Sequence, residues 1–296
     1  MNIRPSFHCK TFPESQRDIL GMIATDHHLG EILCAICQMI DTQAPKTFSS
    51  ILLTDAEGKH LLNGAAPGLP AAYSEAVHGM AIGPQEGTCG TAAFRRELVV
   101  TEDIARDPNW ERFRSLALGH NLRSCWSVPL LSHQGSVLGT FALYQSRPHA
   151  PDEKQIQRLA SAAQLAAIAI RHERDGRRLE ESEQRFRSLF TYNPNPMFAL
   201  DLAGNIQSVN PAGLKLKPHT ATDFIGHHFA RLVVEEDLQR VSQHFAAAST
   251  GAPQRFEARV RDESDKLLSM DISNLPIRVN GEIVGVFGVA RDISQQ

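Results

Sequence analysis

The chain states one structural plan twice, and this constrains its fold more than any single motif does. Leu53-Thr54-Asp55-Ala56-Glu57-Gly58 recurs in outline as Ala199-Leu200-Asp201-Leu202-Ala203-Gly204. Gly135-Ser136-Val137-Leu138-Gly139-Thr140-Phe141 recurs as Gly281-Glu282-Ile283-Val284-Gly285-Val286-Phe287. Position 55 maps onto 201 and 135 onto 281, an offset of 146 in both cases. A period this long indicates a duplicated domain plan rather than a solenoid. In each copy an apolar run meets a D-x-x-G turn and resumes, the pattern of a hairpin that opens a sheet. Each copy closes with a proline-bearing strand (Val128-Pro129-Leu130, Leu275-Pro276-Ile277), a turn and a glycine-punctuated apolar strand.

At 296 residues the length suits two domains, each large enough to bury a core. A mixed charge distribution with a net charge of −3 gives no electrostatic case for nucleic acid or an anionic membrane surface. No stretch approaches the ~20 apolar residues that span a bilayer. Met1 to Pro13 lacks the apolar segment of a secretory signal. Five irregularly spaced cysteines do not make a disulfide framework. A cytoplasmic setting is expected.

After an N-terminal arm (1–15), Glu14 to Thr42 reads as one helix, with Leu29, Ile32, Leu33, Ile36 and Ile40 on a single stripe. Strands are expected at Phe48–Thr54, His60–Leu62, Ser124–Leu131 and Val137–Tyr144, with a turn-rich middle and helix after Asp107-Pro108. Pro151-Asp152 starts a long helix on which Ile156, Leu159, Ala163, Ala166 and Ile170 alternate steps of three and four, the seam of a packed helix pair. That seam and the Leu29–Ile40 stripe predict a parallel homodimer. Beyond Ile170 the helix becomes charge-dense, with Glu173→Arg177, Glu181→Arg185 and Glu183→Arg187 each worth roughly 0.2–0.5 kcal/mol. Gly176 interrupts it at about 1 kcal/mol relative to alanine, so the stretch reads either as a solvated linker or as a signalling helix with a weak joint. The second unit has strands near Met197–Asp201 and Ile206–Val209, a helix capped by Asn210-Pro211, a helix over Glu235–Ala248, and strands at Gln254–Arg261, Leu267–Arg278 and Ile283–Arg291.

The second half resembles a PAS domain with its C-terminal hairpins. The carrying residues are Glu183-x-x-Phe186-Arg187-x-Leu189-Phe190, Asp201-x-x-Gly204-Asn205-Ile206, Asn210-Pro211-Ala212, Gly281-x-Ile283-x-Gly285 and Arg291-Asp292-Ile293. The first half resembles a GAF domain through Ile51-Leu52-Leu53-x-Asp55-x-x-Gly58, Gly87-Thr88-Cys89-Gly90-Thr91-Ala92-Ala93, Glu102-Asp103-Ile104, Cys125-Trp126-Ser127-Val128-Pro129-Leu130 and Gly139-Thr140-Phe141. The implied fold is α+β: two PAS-like antiparallel-sheet domains joined by a long helix, with GAF at 16–150, linker at 151–185 and PAS at 186–296. Bacterial proteins of this arrangement usually attach a histidine kinase, a diguanylate cyclase or a cyclic-di-GMP phosphodiesterase. No such segment is recognised here, so an output is expected on a missing segment or a partner.

The expected input pocket lies in the first domain and comprises Cys89, Gly90, Thr91, Asp103, Cys125 and Trp126. Glycine permits close backbone approach to a ligand, and Trp126 offers an apolar wall with one N–H donor. Cys89 and Cys125 read either as small buried hydrophobes or as a redox-responsive pair. The second domain shows no comparable constellation and is expected to dimerise and relay. Free methionine-sulfoxide reductases share the resembling GxCGTA segment, which makes a thiol redox enzyme the alternative function. Their attacking cysteine follows the acidic segment, whereas Asp103 to Phe113 holds no cysteine. Cys34 and Cys37 are spaced C-x-x-C but sit in an amphipathic helix, as core residues do, and no metal site is expected. A flavin-adduct signature is replaced by Gly226-His227-His228-Phe229-Ala230, and no histidine adjoins Cys89 or Cys125 as bilin attachment requires. His244 is the one haem-ligand position that PAS resemblance points to, with a solvated histidine as the competing reading; the cofactor is left open. Walker loops, nucleophile elbows and H-E-x-x-H are absent. The expectation is a non-catalytic sensory module that binds a small ligand or senses redox state.

Overall fold

The computed structural model describes residues 11–42, 46–216, 225–262 and 266–294 and divides into two units, 1–178 and 179–296. Most of the N-terminal arm lies outside the described residues. The first domain begins with α1 (Phe12–Ala24) and α2 (Leu29–Asp41) in place of the single helix expected over 14–42. The break is local chemistry. The Thr25 hydroxyl donates to the Gly21 carbonyl at 2.9 Å and contacts His27 Nδ1 at 3.0 Å, and Asp26 takes φ +51°. Short polar side chains that bond to nearby backbone offer the chain an exit from the helix.

The elements that follow are β1 (Thr47–Thr54), β2 (His60–Ala65), α3 (Ala71–Val77), β3 (Met80–Ala81), α4 (Gly87–Arg95) and β4 (Val99–Thr101). A 3-10 turn (Pro108–Trp110) leads to α5 (Arg114–Gly119), β5 (Ser124–Leu131) and β6 (Val137–Gln145). The strands form an antiparallel sheet in the order β3-β2-β1-β6-β5-β4. One face packs on α1, α2 and α6 (Glu153–Thr191), and the other packs on the α3–α5 region.

The Gly87–Ala93 segment, expected as a turn, is helix α4. A Cβ on Gly90 would stand 2.6 Å from the Ala81 carbonyl oxygen and 2.7 Å from Glu86 Cβ. The glycine therefore serves close packing of the protein on itself.

The predicted helix-pair seam also has a different partner. Leu159, Ala163, Ala166 and Ile170 are buried in the same core as Ile32, Leu33, Ile36 and Ile40. From Leu159 onward the first stripe is buried inside the first domain together with the second, so these residues do not supply a dimer surface. Past Ile170, α6 continues through Gly176 without a break, and Glu173 and Arg177 pair at 2.8 Å.

The second domain contains β7 (Met197–Leu200), β8 (Ile206–Val209), α7 (Pro211–Leu214), α8 (Glu235–Ser249), β9 (Gln254–Arg261), β10 (Leu267–Val279) and β11 (Glu282–Asp292). Its sheet order is β8-β7-β11-β10-β9. The order β2-β1-β6-β5-β4 in the first domain is the same plan, so the sequence repeat is a repeat of topology. The matching residues do matching work. Asp55 Oδ1 accepts from the Lys59 backbone N–H and Asp201 Oδ1 from that of Asn205, both at 2.8 Å, with Gly58 and Gly204 at positive φ. A Cβ on Gly139 would collide with the Leu52 carbonyl, and one on Gly285 with that of Leu200. In both sheets the last strand can thus lie against the first.

Candidate functional site

Strand alternation decides which of the expected pocket residues meet. Cys125 and Trp126 are neighbours on β5 and so face opposite sides of the sheet. Cys125 joins the core beneath α3–α5, while Trp126 joins the core beneath α1, α2 and α6 and donates its Nε1–H to the His149 carbonyl at 3.1 Å. Trp126 is therefore not a wall of the Cys89–Cys125 site. The tryptophan at that site is Trp110, which the sequence reading passed over. Its neighbours Asp107-Pro108 carried a visible signal, because Asp107 caps the 3-10 turn by accepting from the Asn109 N–H at 2.8 Å.

Around Trp110 a directional chain of hydrogen bonds is complete. Trp110 Nε1–H donates to Thr88 Oγ1 at 2.8 Å. Thr88 and Thr101 hydroxyls are 2.8 Å apart, and Thr101 donates to Asp107 Oδ2 at 2.6 Å. Each hydroxyl gives one proton and receives one, so buried polarity is satisfied without a ligand. Thr91 is buried and donates to the Pro84 carbonyl at 3.4 Å. Asp103 turns away, accepting from the Ala105 N–H at 3.1 Å and pairing with Arg106 at 3.6 Å.

Cys89 and Cys125 are brought together. Cys89 Sγ lies 3.6 Å from the Tyr144 hydroxyl. The adjoining Cys125 thiol, followed by hydroxyls of Tyr144, Ser127 and Thr140, draws the Cys89 thiol below its ordinary range against the opposing effect of burial. Burial holds Cys125 well above that range. The space at this site is small: a cavity of about 10 Å³ edged by Tyr73, Met80, Cys89, Trp110 and Tyr144.

The larger cavity is in the second domain. It measures about 70 Å³ and lies between the inner sheet face and α8, with Phe198, Phe229, Val241, Phe245, Phe256 and Met270 among its walls. Among the described residues, Asn274 is the only polar side chain that lines it. The domain expected only to dimerise and relay thus holds a cavity of its own. Sequence reading missed it because its walls are ordinary core residues drawn from distant segments.

His244 does not enter this cavity. It stacks on the Phe256 ring at 4.4 Å, and its Nδ1 contacts Gln254 Oε1 at 2.8 Å. Val241 and Phe245, on the same helix, take the inward positions. The residues present do not fit a haem ligated by His244. Among the described residues no cluster of three or more His, Cys, Asp or Glu could hold a metal ion, and no helix is long and apolar enough to cross a membrane.

These features define a tandem of sensory domains. Residues 25–171 match the GAF domain family and residues 190–296 match the PAS fold family. The chain belongs to the proteins that carry a GAF domain followed by a PAS domain. It is similar to the methyl sulfide methyltransferase-associated sensor of Methanosarcina acetivorans, at 28% identity over 283 residues that make up 95% of this chain and 28% of that protein. The chain thus spans little more than a quarter of the curated relative it matches. Among solved structures, the GAF domain of an Acinetobacter phosphoenolpyruvate-protein phosphotransferase shares 21% identity, covering 55% of this chain and 94% of that one, with a TM-score of 0.44. The PAS domain of a Colwellia psychrerythraea protein shares 24% identity, covering 39% of this chain and 99% of that one, with a TM-score of 0.36.

Proposed function

We propose that this chain is the non-catalytic input region of a cytoplasmic signal-transduction protein, in which a small molecule enters the PAS cavity and α6 carries the change toward an output domain or partner. The observation that carries this reading is the contrast between the apolar cavity of the second domain, about 70 Å³, and the space at the Cys89–Cys125 site, about 10 Å³. A ligand shifts a two-state element only by its differential affinity for the two states, and a preformed apolar space beneath a sheet can supply that difference. Dimerisation is supported by the second half of α6, where Leu179, Phe186 and Leu189 follow heptad spacing and stay exposed. The partner in this reading is a second copy of the chain.

Methionine-methyl NMR tests the input. Met270 lines the second-domain cavity and Met80 the first-domain one. A metabolite library should contain compounds that shift the Met270 resonance and leave Met80 in place. If compounds move Met80 alone, or neither methyl, input through the PAS cavity is refuted.

A second reading, redox input at the GAF domain, is favoured by the burial of both thiols in one core, where Cys125 lowers the pKa of Cys89. With hydrogen peroxide as oxidant, the Cys89 sulfur would attack one oxygen, the O–O bond would break, and a sulfenic acid and water would result. The Cys125 thiol would then displace a second water and close a disulfide, so that two thiols are oxidised and one peroxide is reduced.

A further inference from the structure

The PAS cavity carries a specific chemical demand. Asn274 sits on the inner face of β10, paired across the ladder with Gly288 of β11. It is 5% exposed, and its side-chain amide has no hydrogen-bond partner among the described residues. A buried amide offers two donors and an acceptor with two lone pairs. Left unpaired in an apolar setting, such a group costs about 1–3 kcal/mol. Every other lining side chain among the described residues is apolar, including Leu200, Ile206, Val260 and Ile272. The space beside the amide is kept open by Gly288, where an added Cβ would stand 3.3 Å from Asn274 Oδ1.

We infer that the PAS cavity takes a small, neutral, mostly apolar molecule bearing one hydroxyl, carbonyl or amide group that pairs with Asn274. The inference rests on the proposed ligand role of this cavity and adds the chemistry of what fills it. Charged metabolites are disfavoured because, among the described residues, no cationic or anionic side chain lines the site, and an unpaired charge in such surroundings is costly. Size is bounded too. An apolar cavity of roughly 150 Å³ accommodates benzene, so a ring of that size requires this cavity of about 70 Å³ to about double. Met270, unbranched and flexible, can contribute to that expansion. A ligand with more polar groups than one amide can reach would leave the rest unpaired.

The test uses the whole chain labelled at methionine methyls, with phenol, benzene and benzoate as probes. Phenol should titrate Met270 about fivefold more tightly than benzene, the preference that one net hydrogen bond gives. Benzoate should not titrate it. Asn274→Leu, close to isosteric, should abolish the preference for phenol, and an unchanged Met197 resonance would show that the sheet is intact. Gly288→Ala, which keeps the amide but crowds it, should weaken phenol more than benzene. If benzene binds wild type as tightly as phenol, or the preference survives Asn274→Leu, the role of Asn274 is overturned while the cavity remains a ligand site. If benzoate binds best, the neutral-ligand inference falls. If none of the probes moves Met270, ligand entry into this cavity is itself refuted.

Discussion

Ile170 and Leu189 lie on one helix and carry similar apolar side chains, yet the structure assigns them opposite roles. Ile170 is 1% exposed in the core shared by α2, α6 and the first sheet, whereas Leu189 is 72% exposed. Ile170→Ala removes buried methyl groups and leaves a cavity, which costs 2–5 kcal/mol in well-packed cores; about 3 kcal/mol is expected here. With a urea m-value of about 2 kcal/mol/M, the unfolding midpoint should fall by roughly 1.5 M. The assay is selective, because both tryptophans, Trp110 and Trp126, are buried in the first domain. Tryptophan emission during urea unfolding therefore reports that domain alone. Leu189→Ala should leave this midpoint within about 0.5 kcal/mol of wild type and should instead weaken self-association in sedimentation. Repeating the titration at tenfold higher protein concentration separates an internal core from an intermolecular seam, because mass action makes the latter concentration-dependent. A loss that disappears at high concentration, or a midpoint unmoved by Ile170→Ala, would show that this part of α6 packs against another copy of the chain.

Asp237 offers a pH-dependent test in the second domain. It accepts from the Arg259 backbone N–H at 2.8 Å, from Arg259 Nε at 3.1 Å and from Arg240 Nη2 at 3.0 Å, and these bonds, Arg259 first, lower its pKa to about 2. A depressed carboxylate contributes stability above its unfolded value of 3.8 and loses it as pH falls through 2. With both arginines about half exposed, Asp237→Asn should cost about 1–2 kcal/mol at neutral pH. The gap between wild type and variant, read by far-UV circular dichroism in urea, should narrow by about half by pH 3. A gap that stays constant from pH 7 to pH 3 would rule out the charge as its source. For the thiols, mild peroxide should remove two hydrogens from the intact chain and quench Trp110, which is tied to Thr88 beside Cys89. Both effects should be absent from Cys89→Ser and from Cys125→Ser. If the two-hydrogen loss persists in either variant, or the wild-type chain gains oxygen without forming a Cys89–Cys125 bond, the redox reading fails.

Local chemistry and periodicity made the domain plan legible in the sequence. The D-x-x-G turns, the strand glycines and the Asn210-Pro211 cap act through their own backbone or near neighbours, so their spacing carries the topology of both sheets. The charge-dense stretch of α6 was readable for the same reason. Other features depended on which segments meet in space. Alternation along β5 was visible, but only the tertiary structure showed which side of the sheet belonged to which core, and so that Trp110 rather than Trp126 attends the two cysteines. The Ile156–Ile170 spacing fixed an apolar face, yet a face does not name its partner, and the first domain's own helices and sheet cover it. Gly90 announced close approach without saying to what, and the answer is the Ala81 carbonyl. The PAS cavity had no motif at all. It is a space left between side chains that are separately ordinary, with one amide turned into it, and such a space exists only once the chain has folded.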